Sequence, residues 1–286
     1  MPDFVIIGCG YVGTRLARKL PGTVSAVTRS AAEVAAPGKP GLRAIACDLD
    51  RLPAGATLPT ETLGRIVIYL APPPGDGPMD ERLRKTLSAL PGPPARFVYL
   101  STTGVYGDAA GAIVDEDQPP RPTTDRSRAR LDAETALRHW CDERGVEWVI
   151  LRVPGIYGPG RLPLERIRRG DPVIVESQAG PGNRIHVDDL VDVCIAAATQ
   201  PAARNRTYNV GDGNHASSTA YFTIVARVAG LPTPPAVSRE EARRSLSPAT
   251  WSFLADSRRV DTTRMREELG VKIRYENLEE GVRASL

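Results

Sequence analysis

A glycine-rich turn directly after a short apolar strand is the feature that most constrains this chain. The segment 4–7 reads as a buried strand, and a helix is predicted to begin near residue 11. Gly8 allows a tight turn out of the strand, Gly10 lets a pyrophosphate approach the backbone, and Gly13 lets the helix lie close to the strand. The helix N-terminus offers N–H groups and a partial positive charge to that anion. The pattern therefore predicts a dinucleotide site at Gly8, Gly10, Tyr11, Val12 and Gly13; the alternative is a tight turn that binds no ligand.

Alternating strands and helices extend this start into a sheet. Strands are predicted at 4–7, 24–29, 42–47, 65–71, 96–101 and 146–153, and helices at 11–20, 79–90 and 125–144. Repeated strand–helix–strand units predict an α/β protein with a Rossmann-type, doubly wound parallel sheet and ligands at the carboxyl ends of its strands. Beyond Val153 only short elements are predicted, and 231–250 is predicted to be irregular.

The overall composition argues against several classes of protein. The 286 residues are 41% apolar and 25% charged, with a net charge of +3. No basic stripe with interleaved aromatic residues is present, so nucleic acid is not expected as a partner. The scattered cysteines predict neither a disulfide framework nor a metal site. With no signal-peptide pattern and no apolar run long enough for a membrane span, we expect a cytoplasmic protein.

The end of the second strand indicates which dinucleotide is bound. An acidic residue at this point would bind the ribose hydroxyl of NAD. This chain instead has Thr28, Arg29 and Ser30, and the nearest acid is Glu33. A guanidinium and two hydroxyls suit a 2′-phosphate, so NADP is favoured over NAD, although NAD is not excluded. The alternative is that Arg29 only faces solvent.

Six segments in order along the chain carry a family resemblance. They are GCGYVG (8–13), YLAPP (69–73), FVYLSTTGVYGD (97–108), LRVPGIYGPGR (151–161), RIHVDDL (184–190) and YNVGDG (208–213). With these segments the chain resembles the extended short-chain dehydrogenase/reductases, which form the NAD(P)-dependent epimerase/dehydratase superfamily. The resemblance implies a Rossmann domain of residues 1–156 and 186–211. A smaller C-terminal substrate-binding lobe would then comprise 157–185 and 212–286.

The resemblance also implies roles for individual residues. The cofactor would contact Asp48 and Leu49 beside its adenine, Leu70 and Ala71 at the end of the fourth strand, and Pro154 beside its nicotinamide. The substrate would be a small molecule, anionic or similar to a nucleotide sugar, and Arg184 would reach its phosphate. A homodimer is expected by the same resemblance.

Two departures from the family pattern mark an atypical member. Ile7 stands where the family has the first glycine of the turn, so Gly8 must allow the tight turn instead. The family's Tyr-x-x-x-Lys pair, which moves a proton and binds the nicotinamide ribose, aligns with Arg126 and Arg130. Lysine is rare in this chain, which accounts for arginine at 130 but not at 126. Because a guanidinium stays protonated, Arg126 cannot be the general acid or base.

Three residues remain as candidates for catalysis: Thr102, Tyr106 and Arg126. Thr102 aligns with the family's catalytic hydroxyl but is also an ordinary residue at a strand end. Tyr106 offers a substitute phenol, or it packs as a buried aromatic. Arg126 and Arg130 would hold an anionic ligand in the cleft, with Arg130 at the cofactor ribose. The alternative is a solvated helix face on which Arg130 pairs with Glu134.

Two functions follow from these residues. The first is an NAD(P)-binding oxidoreductase or epimerase that acts on a small polar or sugar-like substrate through a non-standard proton-transfer group. The second is an NADP-binding redox sensor or partner-binding module without catalytic activity.

Overall fold

A parallel sheet lies at the centre of the protein in the computed structural model, which describes residues 2–30, 39–75 and 77–286. The strands are β1 (Phe4–Ile7), β2 (Val24–Thr28), β3 (Leu42–Ala46), β4 (Ile66–Tyr69), β5 (Arg96–Thr102), β6 (Ile113–Val114), β7 (Glu147–Val153), β8 (Gly155–Tyr157), β9 (Val173–Ile174), β10 (Arg184–His186), β11 (Arg206–Asn209), β12 (Ala236–Val237) and β13 (Arg259–Val260). Within the described ranges, seven strands form the sheet in the order β11-β7-β5-β4-β1-β2-β3, all parallel. The chain reverses its direction of travel across the sheet between β1 and β4, where such sheets bind ligands.

Helices cover both faces of this sheet. They are α1 (Tyr11–Lys19), α2 (Glu81–Ser88), α3 (Asp125–Arg144), α4 (Leu164–Arg168), α5 (Val187–Thr199), α6 (Ser218–Val228), α7 (Arg239–Ser245), α8 (Pro248–Ala255), α9 (Thr263–Leu269) and α10 (Leu278–Arg283). Leu16 of α1 and Leu190 of α5 belong to the buried cluster on one face, and Leu83 of α2 and Leu137 of α3 to the cluster on the other. The predicted doubly wound α/β fold is therefore confirmed.

A separate apolar cluster holds the C-terminal elements together. It contains Tyr157, Ile167, Phe222 and Leu278, from β8, α4, α6 and α10. Two-stranded pairs, β10 with β8 and β12 with β9, belong to the same part of the chain. The predicted division into a Rossmann domain and a substrate-binding lobe stays a prediction.

The prediction of an irregular 231–250 segment was wrong, because α7 lies inside it and α8 begins there. Ser238 caps α7 and exchanges side-chain and backbone hydrogen bonds with Glu241, which is a capping box. Ser247 caps α8, which has a proline in its first turn. These caps allow short helices to form in a sequence whose composition resembles that of a loop.

Candidate functional site

The glycine turn between β1 and α1 has the geometry that a phosphate-binding turn requires. Gly8 has a φ of +87°, and a Cβ at this position would lie 2.5 Å from the backbone nitrogen of Ala71. Gly10 precedes α1 without a side-chain cap, and a Cβ there would meet nothing within 4 Å. The backbone N–H groups in the first turn of α1 therefore point toward open space, and an anion site requires such accessible donors.

Close packing below the turn explains the third glycine. A Cβ at Gly13 would lie 3.1 Å from Leu70 and 3.2 Å from the sulfur of Cys9, so α1 lies directly on the strand ends. Cys9 is 1% exposed, and burial raises the pKa of its thiol to about 11. Cys9 is thus a packing residue and not a thiolate nucleophile.

The side chain of Tyr11 joins the glycine turn to the segment that follows β8. Its ring lies 4.1 Å from the guanidinium carbon of Arg15 and 4.3 Å from that of Arg161. Its hydroxyl donates to the carbonyl of Pro159 over 3.0 Å. The side chain of Tyr11 therefore makes its contacts with other residues of the protein.

The residues predicted to surround the adenosine lie at the ends of β2 and β3. Thr28 is buried, Arg29 is exposed, and Leu49 is 7% exposed. Beside them Arg82 donates from Nε and Nη2 to Asp50 over 2.7 Å each, and these bonds, assisted by Arg29, lower the pKa of that carboxyl. Arg29 therefore lies in a charged environment at the predicted 2′-phosphate position. Ser30 follows it, and Asp48 accepts from the backbone N–H of Asp50; Glu33 lies outside the described residues.

One cleft of about 560 Å³ brings the ends of β5 and β7 together with the C-terminal elements. Thr102, Arg126 and Pro154, all predicted from the sequence, line it. Among its described lining residues are five arginines, Arg126, Arg166, Arg184, Arg239 and Arg258, and a single carboxylate, Asp256. The cleft thus carries a strong excess of positive charge, which suits an anionic small molecule.

Arg126 lies in the first turn of α3, at the rim of this cleft. Thr124 caps the helix and forms a capping box with Ser127, and this fixes the direction in which the first turn begins. Thr102 accepts from the backbone N–H of Gly104 over 3.1 Å, so its hydroxyl is oriented by the turn after β5. Arg126 is exposed overall, but the partial burial of its side chain and the like charge of Arg130 lower its pKa.

Arg130 is held against the sheet and is not among the cleft-lining residues. Its Nη1 donates to the carbonyl of Leu100 over 2.7 Å and to the hydroxyl of Tyr99 over 3.2 Å. The proposed pairing of Arg130 with Glu134 on a solvated face is wrong, because Glu134 is 0% exposed and pairs with Arg152 and Arg138. A contact between Arg130 and the cofactor ribose stays a prediction.

Tyr106 is enclosed in the protein and does not line the cleft. It is 4% exposed, donates to Asn209 Oδ1 over 2.7 Å, and accepts from Arg152 Nη1 over 2.9 Å. Burial raises the pKa of its phenol. Both hydrogen-bonding functions of the hydroxyl are used, and this placement argues against Tyr106 as the substitute proton donor.

Arg184 lines the cleft, but its guanidinium is bonded to the backbone that enters α6. Nη1 donates to the carbonyl of Ala216 over 2.7 Å and Nη2 to that of Ser217 over 3.1 Å. The ring of Tyr221 lies 4.5 Å from the guanidinium carbon. The predicted contact of Arg184 with a substrate phosphate stays a prediction, and any such phosphate would share this guanidinium with two carbonyls.

A buried carboxyl lies beside Arg184. Asp212 is 3% exposed; its Oδ1 accepts from the N–H of Asn214 over 2.8 Å, and its Oδ2 has no partner among the described residues. Burial raises the pKa of Asp212 to about 7, although the Asn214 N–H and Arg184 act in the opposite direction. This group therefore makes the stability of the fold depend on pH near neutrality.

We expect Asp212→Asn to stabilise the protein at alkaline pH. The pKa of Asp212 rises from 3.8 to about 7 on folding, so the stability linked to its proton is present below the lower value and lost as pH rises through the higher one. Asparagine removes the buried charge and keeps an acceptor for Asn214. The free energy of unfolding should increase by about 2 kcal/mol near pH ~8.5 and by much less near pH ~4, measured by urea denaturation. A gain independent of pH, or the same gain in the exposed variant Asp125→Asn, would contradict this assignment.

The C-terminal contributors to the cleft were missed by the sequence reasoning. Arg166 packs over Phe222 at 4.8 Å, Arg239 donates to the carbonyls of Leu254 and Ala255, and Arg258 donates to the carbonyl of Gly107. Of these three, only Arg239 lies in 231–250, whose arginine-rich composition does not indicate where the side chains point.

Neither a metal centre nor a membrane helix is found in residues 2–30, 39–75 and 77–286. No group of three metal-ligating side chains there is placed to hold an ion. No helix in the same ranges has the length and apolar character needed to cross a bilayer.

Known proteins match the chain over most of its length. The model of the NAD dependent epimerase/dehydratase family matches residues 4–211. Protein YeeZ of Escherichia coli (strain K12) is 28% identical over 291 residues, which cover 96% of this chain and 97% of YeeZ.

Two solved structures share the fold over nearly the whole chain. A functionally unknown conserved protein from Silicibacter pomeroyi DSS superposes with a TM-score of 0.79 at 29% identity, over 99% of this chain and 98% of that one. MoeE5 in complex with UDP-glucuronic acid and NAD superposes with a TM-score of 0.76 at 25% identity, over 100% of this chain and 97% of its own.

Proposed function

Because the chain belongs to the NAD dependent epimerase/dehydratase family, we propose that it binds NADP and acts as an oxidoreductase or epimerase on a nucleotide-sugar-like substrate. The observation that carries this proposal is the arginine-rich cleft that includes the strand ends Thr102 and Pro154. The cofactor would lie along the glycine turn, with its pyrophosphate at the N-terminus of α1.

The charge of the cleft supports a substrate with several negative charges. Five lining arginines against one carboxylate favour a diphosphate group over a neutral sugar. The apolar rings of Tyr221 and Phe222 lie in the same lining and suit a base or a sugar face. The similar protein MoeE5 has been solved with UDP-glucuronic acid and NAD, which fits the same substrate class.

The preference for NADP rests on Arg29, which is exposed at the end of β2 close to Asp50. We expect Arg29→Ala to weaken NADPH binding about tenfold, the usual size of one charged phosphate contact, and to change NADH binding less than about twofold. Calorimetric titration with both dinucleotides measures the ratio. The matched control is Arg51→Ala. The side chain of Arg51 is 88% exposed and lies beside Asp48. Equal loss for NADPH and NADH, or tighter binding of NADH by the unaltered protein, would contradict the NADP assignment.

The proton-transfer group of such an enzyme is not the family's tyrosine, because Arg126 occupies that position. Among the predicted candidates, Thr102 lines the cleft with a hydroxyl that can orient a substrate oxygen. The test is to mix the protein, loaded with oxidised NADP⁺ as the hydride acceptor, with UDP-sugars and to follow the absorbance of reduced nicotinamide and the epimer composition. Turnover that survives in Thr102→Val would remove Thr102 from the mechanism.

The second candidate function, a non-catalytic NADP-binding sensor, is favoured by the arginines at both catalytic positions. It predicts tight NADPH binding without turnover of any UDP-sugar. It also predicts a protein partner whose affinity changes between NADPH and NADP. Measured epimerisation or oxidation of a UDP-sugar would exclude it.

A further inference from the structure

We propose that Asp212 is a positioning residue that acts through Arg184, so that a phosphate bound in the cleft is accompanied by a proton taken up at Asp212. This inference rests on the proposed function, because it needs a phosphate-bearing ligand at Arg184, and it adds the residue that controls that contact. Asp212 does not itself touch the ligand, since it is buried and is not among the described residues that line the cleft.

A chain of hydrogen bonds connects the two side chains. Oδ1 of Asp212 accepts from the backbone N–H of Asn214 over 2.8 Å, and Oδ1 of Asn214 accepts from the N–H of Ala216 over 2.8 Å. The carbonyl of Ala216 accepts from Nη1 of Arg184 over 2.7 Å. The backbone N–H of Asp212 also donates to the carbonyl of Arg184 over 2.9 Å. The segment 212–216 is therefore fixed at one end by the Asp212 carboxyl and holds the Arg184 guanidinium at the other.

The second carboxyl oxygen of Asp212 favours the neutral form of the group. Oδ2 is buried and has no hydrogen-bond partner in the described part of the chain. A carboxylate oxygen buried without a donor is costly, so removal from water favours the protonated acid. This burial raises the pKa of Asp212 to about 7, and the neighbouring charge of Arg184 acts in the opposite direction. The ionised form of Asp212 is therefore stabilised in part by the charge of Arg184.

A phosphate bound at Arg184 would reverse part of this stabilisation. The Asp212 carboxylate and the phosphate are both attracted by one guanidinium, and they repel each other. A bound phosphate therefore favours the protonated form of Asp212, and by linkage the protonated protein binds the phosphate more tightly. Because the pKa of Asp212 is then higher in the complex than in the free protein, affinity is greatest below the free value of about 7 and falls as pH rises above it.

The other ionisable groups around Asp212 come from α5, β8, α6 and α9. Asp189 of α5 accepts from backbone N–H groups at both oxygens, over 3.0 Å and 3.1 Å, so it has no bare oxygen. Burial raises the pKa of the phenols of Tyr157 on β8 and Tyr221 on α6, which therefore stay neutral. Arg266 of α9 donates to the carbonyl of Asp212 over 2.9 Å, and a guanidinium stays protonated. Asp212 differs from these groups in having a proton to exchange near neutral pH.

Two histidines lie in the same part of the protein, and the test distinguishes them from Asp212. The ring of His186 lies 5.3 Å from that of Tyr157, and Nδ1 of His215 lies 3.1 Å from Oδ1 of Asn183, which lines the cleft. Burial lowers the pKa of both imidazoles, so both are neutral above pH ~7. Any proton taken up by a histidine would still be taken up by a variant at position 212.

The test is calorimetric titration of the NADP-bound protein with UDP-glucose between pH ~6 and pH ~9, in pairs of buffers that differ in their heat of ionisation. The diphosphate of UDP-glucose stays fully ionised in this range, so a proton taken up on binding goes to the protein. We expect the affinity to fall about tenfold from pH ~6 to pH ~9, the size of one moderate interaction between charges. Near pH ~7.5 about half a proton should be taken up per bound ligand.

The variants decide whether Asp212 and Arg184 are responsible. Asp212→Asn carries no charge, so at pH ~9 it should bind UDP-glucose about as tightly as the wild type does at pH ~6, without proton uptake. Such a gain in affinity is not what damage to the structure would produce. Arg184→Gln should bind more weakly at pH ~6 and lose most of the pH dependence. Glu276→Gln is the matched control and should behave like the wild type, because this carboxylate is 58% exposed and pairs with Arg266.

The outcomes separate this inference from the proposed function. Binding of UDP-glucose by the wild type without proton uptake near pH ~7.5 overturns the inference and leaves the proposed function intact. The same holds for a pH dependence that persists in Asp212→Asn or in Arg184→Gln. Failure of the wild type to bind UDP-glucose at any pH overturns both.

Discussion

Replacing Gly8 by alanine is expected to destabilise the protein by about 3 kcal/mol and to abolish dinucleotide binding. The φ of +87° is unfavourable for any residue with a Cβ, and that atom would lie 2.5 Å from the backbone nitrogen of Ala71. Because the obstructing atom belongs to the backbone at the end of β4, no side-chain rotation relieves the contact. Either β1 or β4 must move at the point where the sheet binds its ligand.

The free energy of unfolding in urea measures this effect, and Gly10→Ala is the matched comparison in the same turn. A Cβ at Gly10 meets no protein atom within 4 Å and the φ is −101°, so stability should change by less than about 0.5 kcal/mol. Its cost should appear only in cofactor affinity, since the methyl group would occupy space intended for the pyrophosphate. A Gly8→Ala protein as stable as the wild type would contradict this account of the turn.

Replacing Glu134 by alanine is expected to cost about 3–5 kcal/mol, because it leaves a buried guanidinium without its counter-charge. Glu134 is 0% exposed and accepts from Arg152 Nε over 3.2 Å and Nη2 over 2.8 Å. It also accepts from Ser101 over 2.5 Å and from Arg138 over 3.3 Å. Burial lowers the pKa of Arg152, whereas its bonds to Glu134 and Tyr106 raise it. Because a guanidinium is protonated well above neutral pH, Arg152 keeps its charge in the variant even though the bonds to Glu134 are lost.

Urea denaturation of Glu134→Ala should be compared with that of Glu143→Ala, whose carboxylate is 51% exposed on the same helix. The control should change stability by less than about 0.5 kcal/mol. Adding Arg152→Met to Glu134→Leu should recover part of the loss, since the two charges are then removed together. A loss below about 1 kcal/mol in Glu134→Ala would show that the network does not hold β5, β7 and α3 together.

The elements that position the cofactor could be predicted from the sequence because their signals are local. The run of apolar residues in β4 and the turn residues around β1 identify buried strands without reference to any other part of the chain. The helix predicted at 125–144 has those bounds in the structure, where Thr124 begins it and Gly145, with a φ of +63°, ends it. The parallel order of the sheet then follows from the handedness of its crossovers.

The cleft could be predicted only in part because its residues converge through the tertiary structure. Arg239 comes from a segment that composition assigned to a loop, and it meets Arg126 in the same lining only through the path of the C-terminal elements. Tyr106 shows the reverse case. Its place in a family-like turn left open a reactive phenol or a buried aromatic, and only the tertiary structure shows that Arg152 and Asn209, distant in sequence, enclose its hydroxyl.

Calorimetric titration of the intact protein with NADPH tests the central claim, that the glycine turn and Arg29 form an NADP site. We predict saturable binding of one NADPH per chain, tighter than that of NADH and strongly weakened in Gly10→Ala, whose fold should be intact. Failure of the wild-type protein to bind either dinucleotide would contradict it.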